Sequence, residues 1–285
     1  MAAPSEATPP QAGQTAGSAS AAPATGIPVA GPSQGLRTVV AGVSHEYRGG
    51  GRTTHALGPI DLTIEPGEFV VIVGPSGCGK STLLSLLAGF TQPSTGEVSV
   101  DGARITGPDP RRGIVFQQPN LYPWYSVREN VALGPRLRGA KKAERQRIAD
   151  EHLELVGLTD FADAKPYELS GGMQQRTQIA RVLANDPQLM LLDEPFGALD
   201  AMTRERLQDE LHRIWRGSGK SAVFITHSVD EAVYLGTRVL VMSPRPGQIV
   251  FDRRPPFGDE PRTLALRGTP EFAAFAADVR AHITG

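Results

Sequence analysis

The stretch Phe69-Val-Val-Ile-Val-Gly-Pro-Ser-Gly-Cys-Gly-Lys-Ser-Thr82 decides how this chain folds. Its first five residues form an apolar run of buried-strand size that ends in glycine. The next eight, Gly74 to Ser81, match the pattern G-x-x-x-x-G-K-[ST]. Glycines in such a loop let the backbone wrap around an anion, with successive N–H groups pointing inward. A helix expected to start just after Gly79 adds its positive N-terminal end. Lys80 is expected to reach the β- and γ-phosphates of a nucleotide, and the Ser81 hydroxyl to ligate Mg²⁺. The candidate nucleotide-binding residues here are Gly74, Pro75, Ser76, Gly77, Cys78, Gly79, Lys80, Ser81 and Thr82. A chance glycine-rich turn is the competing reading, but an apolar strand before the loop and a helix-compatible run after it argue against that.

Farther along the chain, Leu189-Met-Leu-Leu-Asp-Glu194 reads as a buried strand ending in two acids. On its own this is equally a core strand with a solvated acid pair. Beside a phosphate loop, Asp193 is expected to hold Mg²⁺ through water, and Glu194 to orient or activate the attacking water.

Around these two strands the chain alternates. Thr38–Val43 and Ile60–Ile64 read as short strands bounded by Gly or Pro, and Glu97–Val100 and Gly113–Phe116 belong to a second strand group. Helical patterns cover Ser126–Arg138, Lys142–Val156 and Thr159–Ala164, with Ser126 and Thr159 as N-caps and Gly157 as a stop. Farther on come a helix over Thr203–Arg216, a strand at Ala222–Ile225, a helix from Val229, a strand at Arg238–Met242 and a last helix opened by Pro270. The alternation predicts an α/β fold, a mostly parallel sheet flanked by helices with a helical insert at about 118–168. Residues 1–36 contain one charged residue, Glu6, and no aromatic one, so a disordered low-complexity tail is expected there, and a folded domain over 37–285. The tail lacks the basic and apolar regions of a secretory signal.

The 285 residues carry 29 Lys plus Arg against 30 Asp plus Glu, a net charge of -1, which gives no electrostatic case for nucleic acid as a partner. No apolar run approaches the roughly 18 residues that span a membrane. With one cysteine, Cys78, an internal disulfide is impossible, which fits the cytosol. Lying at a helix N-terminus beside Lys80, that thiol is expected to be reactive, open to a maleimide in the free protein and protected by Mg-ATP.

Leu169-Ser-Gly-Gly-Met-Gln-Gln-Arg176 resembles the signature of the ABC ATPases; Ser170 lies 90 positions after Lys80 and 23 before Asp193. Met173 stands where glutamine is usual, outside the Ser-Gly-Gly that meets phosphate. Other positions match the family in order. Gln117 resembles the glutamine that meets Mg²⁺ and the attacking water, with Gln118 next door leaving the choice open. Gly197-Ala-Leu-Asp200 resembles the loop that crosses the dimer interface, His227 the switch histidine at the γ-phosphate, and Tyr47 the aromatic that stacks on adenine. The resemblance covers about residues 36–250. It implies a P-loop ABC ATPase core with an N-terminal antiparallel β part, ATP and Mg as ligands, and a second copy of the chain whose Ser170, Gly171, Gly172 and Asp200 complete the site in trans. It further implies integral membrane permease subunits, indirectly a solute-binding protein, and a peripheral position on the cytoplasmic face of the membrane.

Within the family, Gly107-Pro-Asp-Pro-Arg-Arg-Gly-Ile-Val-Phe-Gln-Gln118 and Leu121-Tyr-Pro-Trp-Tyr-Ser-Val-Arg-Glu-Asn-Val131 look like importers of nitrate, sulfonate and taurine. Tyr122, Pro123, Trp124 and Tyr125 are expected either at the surface that grips the membrane subunits or in the core of the insert. The rival function is a soluble ABC-type ATPase not involved in transport. Such proteins usually carry long coiled coils or two cassettes, and neither fits in 285 residues.

Overall fold

The structure is a computed structural model and describes residues 35–257 and 262–284. Most of the expected tail, residues 1–34, lies outside the described residues. Strands β1 (Thr38–Gly49), β2 (Arg52–Ile64), β4 (Thr95–Val100) and β5 (Ala103–Arg104) make an antiparallel sheet in the order β2-β1-β4-β5. Strands β3 (Phe69–Val73), β6 (Arg112–Val115), β7 (Leu189–Asp193), β8 (Ser221–Ile225), β9 (Arg238–Met242) and β10 (Ile249–Arg253) form a second sheet, ordered β10-β9-β3-β8-β7-β6. Its pairings are parallel except the β9–β10 hairpin at one edge.

The apolar runs behind the central strands follow from this layering. Side chains alternate across a strand, so a strand covered on both faces must be apolar throughout. Phe69, Val71 and Val73 enter one core with Met190, Leu192, Ala222 and Phe224. Val70 and Ile72 enter the other with Leu189, Leu191, Val223 and Ile225. The first core is closed by α5 (Gly171–Ala184), α6 (Ala201–Ser218), α7 (Val229–Leu235) and α8 (Pro270–Thr284). The second is closed by α1 (Lys80–Ala88) and the antiparallel sheet. β3, β8, β7 and β6 are adjacent and parallel, so their C-terminal ends share one edge, where open α/β sheets bind ligands.

The insert differs from expectation in two places. Ser126–Arg138 is not one helix but two, α2 (Val127–Val131) and α3 (Leu133–Leu137). Pro135 has no N–H to give the carbonyl of Val131, and its ring crowds that carbonyl, so the first helix ends there. Ser126 does cap α2, in a reciprocal capping box with Glu129. Thr159–Ala164 yields only a three-residue 3-10 turn, Thr159–Phe161, preceded by Leu158 with no side-chain cap; so short a segment does not sustain an α-helix. The long helix of the insert, α4 (Lys142–Leu155), stops before Gly157 at a left-handed φ of 66° as expected.

Candidate active site

The phosphate loop joins β3 to α1. Gly79, the residue before α1, has φ 109°, and a Cβ there would stand 2.7 Å from the Ala56 carbonyl oxygen, so only glycine fits. Lys80 is buried, and its ammonium donates to the carbonyls of Gly74 at 2.8 Å and Pro75 at 2.9 Å. The loop thus wraps its own cation. Above it opens a cavity of about 320 Å³ whose walls include Tyr47, Ser76, Gly77, Gly79, Lys80, Ser81, Thr82, Gln117 and Glu194. Tyr47 is 48% exposed, and its hydroxyl meets the Thr82 hydroxyl at 3.3 Å, leaving ring surface free at the cavity edge.

The far wall comes from the neighbouring strand ends. Asp193 closes β7 in hydrogen-bonding contact with Ser81. Burial raises its carboxyl above the ordinary carboxylate range and the charge of Glu194 adds to this, while the Ser81 bond and Lys80 oppose it. Glu194 has a left-handed φ of 45°, a conformation that costs a non-glycine residue about 1–2 kcal/mol. Its N–H is held by the Ile225 carbonyl at 3.0 Å. One carboxylate oxygen receives the Gln117 amide at 3.3 Å and faces His227 Nδ1 at 3.4 Å. Three separate strand ends, of β6, β7 and β8, therefore converge on one carboxylate. Gln117, rather than Gln118, is the glutamine that lines the cavity.

Four expected residues stand apart. Ser170 caps α5, accepting from the Met173 N–H at 3.3 Å, and Gly171 is exposed with open space around it. A Cβ on Gly172 would lie 3.3 Å from the Ala198 carbonyl oxygen, so the signature abuts the loop that ends in Asp200. Asp200 caps α6 through the Thr203 N–H at 3.0 Å, and that bond holds its carboxyl below the usual range. None of the four lines the cavity.

Cys78 corrects an expectation. It is 1% exposed and belongs to the core beneath the loop, with its N–H donated to the Pro75 carbonyl at 3.4 Å. Its side chain is therefore no part of that cavity's lining, and its thiol is not open to a maleimide in the native fold. Arg245, which lines the cavity from the β9–β10 turn, was not anticipated; a lone arginine in a Pro-rich turn carries no sequence signal. Of the aromatic residues expected at the surface or in the core, Trp124 is 65% exposed and Tyr122 39%, which excludes a core-filling role for these two, and Tyr125 is half-buried.

A family profile described as ABC transporter matches residues 57–197. A taurine import ATP-binding protein of Roseobacter denitrificans is 52% identical over 209 residues, which is 73% of this chain and 78% of that protein. The chain belongs to the ABC transporter family. It is an ATP-binding subunit with ATPase activity. An uncharacterized ABC transporter ATP-binding protein of Methanocaldococcus jannaschii is 53% identical over 199 residues, 70% of this chain and 74% of that one. Among solved structures, a dimeric ATP-binding cassette in a post-hydrolysis state with ADP and Pi is similar at a TM-score of 0.71 and 37% identity, covering 76% of this chain and 98% of its own. As in the expectation from sequence, the fold is that of an ABC ATPase. No helix among the described residues of this ABC subunit is long and apolar enough to cross a membrane.

Proposed function

We propose that two copies of this chain close on two ATP molecules and energise an importer for taurine or a similar small anion such as a sulfonate or nitrate. The observation that carries the reading is the split site. The cavity gathers Lys80, Ser81, Gln117 and Glu194, while Ser170, Gly171, Gly172 and Asp200 lie off it, exposed or half-exposed. A second copy is the simplest source of the missing signature, and a similar cassette is dimeric with ADP and Pi bound.

In this reading the loop N–H groups and Lys80 hold the phosphates, and Tyr47 stacks on adenine. Ser81, Asp193 and Gln117 would hold Mg²⁺. These residues fit the ion: all three offer hard oxygen donors, the Asp193 carboxyl lies beside the Ser81 hydroxyl, and Mg²⁺ characteristically rests on one or two carboxylates, waters and substrate phosphates. When bound, it neutralises charge that develops on the phosphates. Glu194 takes the proton of the attacking water, held in place by Gln117 and His227. The partner's Ser170 cap and bare glycine N–H groups add donors to the terminal phosphate.

The membrane subunits are assigned to the insert. Tyr122, Trp124 and Tyr125 form one aromatic cluster with centroids 5.6–6.2 Å apart, beside a groove of about 410 Å³ lined by Leu133, Leu137 and Arg181. Leu137 is 79% exposed there. Exposed aromatic and aliphatic side chains of this kind suit a protein interface. Affinity purification from detergent-solubilised membranes tests the role: an integral membrane protein is expected to come with the chain, and uptake of labelled taurine, sulfonate or nitrate to fall when the chain is deleted. Recovery without any membrane partner, or undiminished uptake of all three solutes, contradicts it.

A further inference from the structure

The turn between β9 and β10 presses an arginine against the phosphate loop. Arg245 donates from Nε and from one terminal nitrogen to the Gly77 carbonyl, at 3.1 and 2.9 Å. The same turn is stapled down on both sides. Gly247 donates to the Ala56 carbonyl at 3.1 Å and accepts from the Gly58 N–H at 3.0 Å, which ties it to β2. A Cβ on Gly247 would lie 2.0 Å from the Cys78 carbonyl oxygen, so its backbone lies against the loop itself. Ser243 closes the turn through its bonds with Gln248. The arginine is thus delivered from a fixed platform, and it lines the same cavity as Gln117 and Glu194.

We propose that Arg245 is a positioning residue for nucleotide binding, which fixes the tip of the phosphate loop in its ligand-ready form by holding the Gly77 carbonyl. Gly77 has φ 76° and no side chain, so its own backbone restrains it least of all. A free Gly77 peptide can turn its carbonyl toward the cavity, where the oxygen's partial negative charge repels phosphate. The two-pronged guanidinium bond removes that freedom before ATP arrives, and preorganisation of this kind appears as affinity. A lysine gives a point contact in place of the fork and restores only part of it.

The inference rests on the cavity being the ATP site, so Lys80→Ala serves as the control. The experiment compares Arg245→Ala and Arg245→Lys with the parent protein, using equilibrium binding of labelled ATP and labelled ADP, steady-state ATPase kinetics and thermal melting. Arg245→Ala is expected to weaken ATP and ADP binding alike by about 5- to 20-fold, the range of a partly exposed charged hydrogen bond. KM is expected to rise accordingly with kcat within about two-fold, and Arg245→Lys to fall between the two. A melting temperature equal to that of the parent excludes general unfolding as the cause. Unchanged affinity in Arg245→Ala, with Lys80→Ala impaired, overturns the role of Arg245 alone. Weakened ATP but unchanged ADP binding also overturns it, because the arginine would then act on the terminal phosphate rather than through the loop. Intact binding in Lys80→Ala removes the ATP site itself.

Discussion

In the proposed role, replacing Glu194 by glutamine removes the proton acceptor, together with the charge that faces His227 and adds to the raised Asp193 carboxyl, and keeps the shape of the side chain. The side chain keeps its length and still offers Gln117 an oxygen at the position where the carboxylate now accepts at 3.3 Å. None of the bonds that shape the phosphate loop involves Glu194; Lys80 is held by Gly74 and Pro75. Asp193 is no substitute base, because it is engaged with Ser81 on the loop side. A positioned general base contributes about 10²–10⁴-fold to such a reaction, which at about 1.36 kcal/mol per tenfold is roughly 2.7–5.4 kcal/mol of barrier. Phosphate release at saturating Mg-ATP is therefore expected to fall by about 10²–10⁴-fold in Glu194→Gln, while labelled ATP binds as tightly as before. Because cleavage no longer reopens the site, Mg-ATP is expected to hold the variant as a stable dimer in size-exclusion chromatography. A fall in turnover of less than about tenfold with binding intact refutes the assignment.

Three further outcomes follow from burial and charge. Asp193→Asn is expected to raise the melting temperature of the nucleotide-free protein at neutral pH while abolishing turnover. Its carboxyl is raised in the fold, so the folded state binds the proton more tightly; the charged form is penalised above that range, and the gain should vanish as pH falls below 3.8, where both states are protonated. A lower melting temperature for the variant at neutral pH contradicts this. His212 is pushed down to about 4 by burial, with Arg262 and Arg216 adding to it, so only the unfolded chain takes up a proton between 6.5 and about 4. The unfolding free energy from urea titrations is expected to fall across that window, by an amount on the order of 1–3 kcal/mol, and to fall less in His212→Phe; parallel pH curves for the two proteins refute the cause. Cys78 is expected to react with a maleimide far more slowly in the native chain than in urea, and rapid stoichiometric labelling of native protein contradicts its burial.

The parallel sheet was legible because burial on both faces leaves no polar residue inside β3, β7, β8 or β9; the written bounds of β3 and β9 match the fold residue for residue. Caps were legible where a side chain makes them, as at Ser126. The hairpin of β1 and β2 was only half read, since Arg52–Pro59 has weak alternation and is ordered by pairing with β1, from Glu46↔His55 to Gly49↔Arg52, and not by its own pattern. The strand β10 was missed for a similar reason: it is an edge strand whose residues are mostly exposed, defined by its partner β9. In the site, the residues on strand ends were legible because their order along the chain carries them. The inward turn of Cys78 was not, because the loop buries Cys78 between the exposed Gly77 and the half-buried Gly79, and sequence proximity to Lys80 does not say which way a side chain turns. Arg245 was invisible because its contact with Gly77 spans 168 residues.

In the proposed dimer, each ATP site draws on two copies of the chain. Mixing a Lys80→Ala subunit with a Ser170→Arg subunit tests it. Each mixed dimer then carries one site with both halves damaged and one with both halves intact. With random exchange and independently working sites, ATPase activity is expected to recover to about a quarter of the parent's, though neither variant alone is active. No recovery in a sample where mixed dimers have been demonstrated contradicts the shared site.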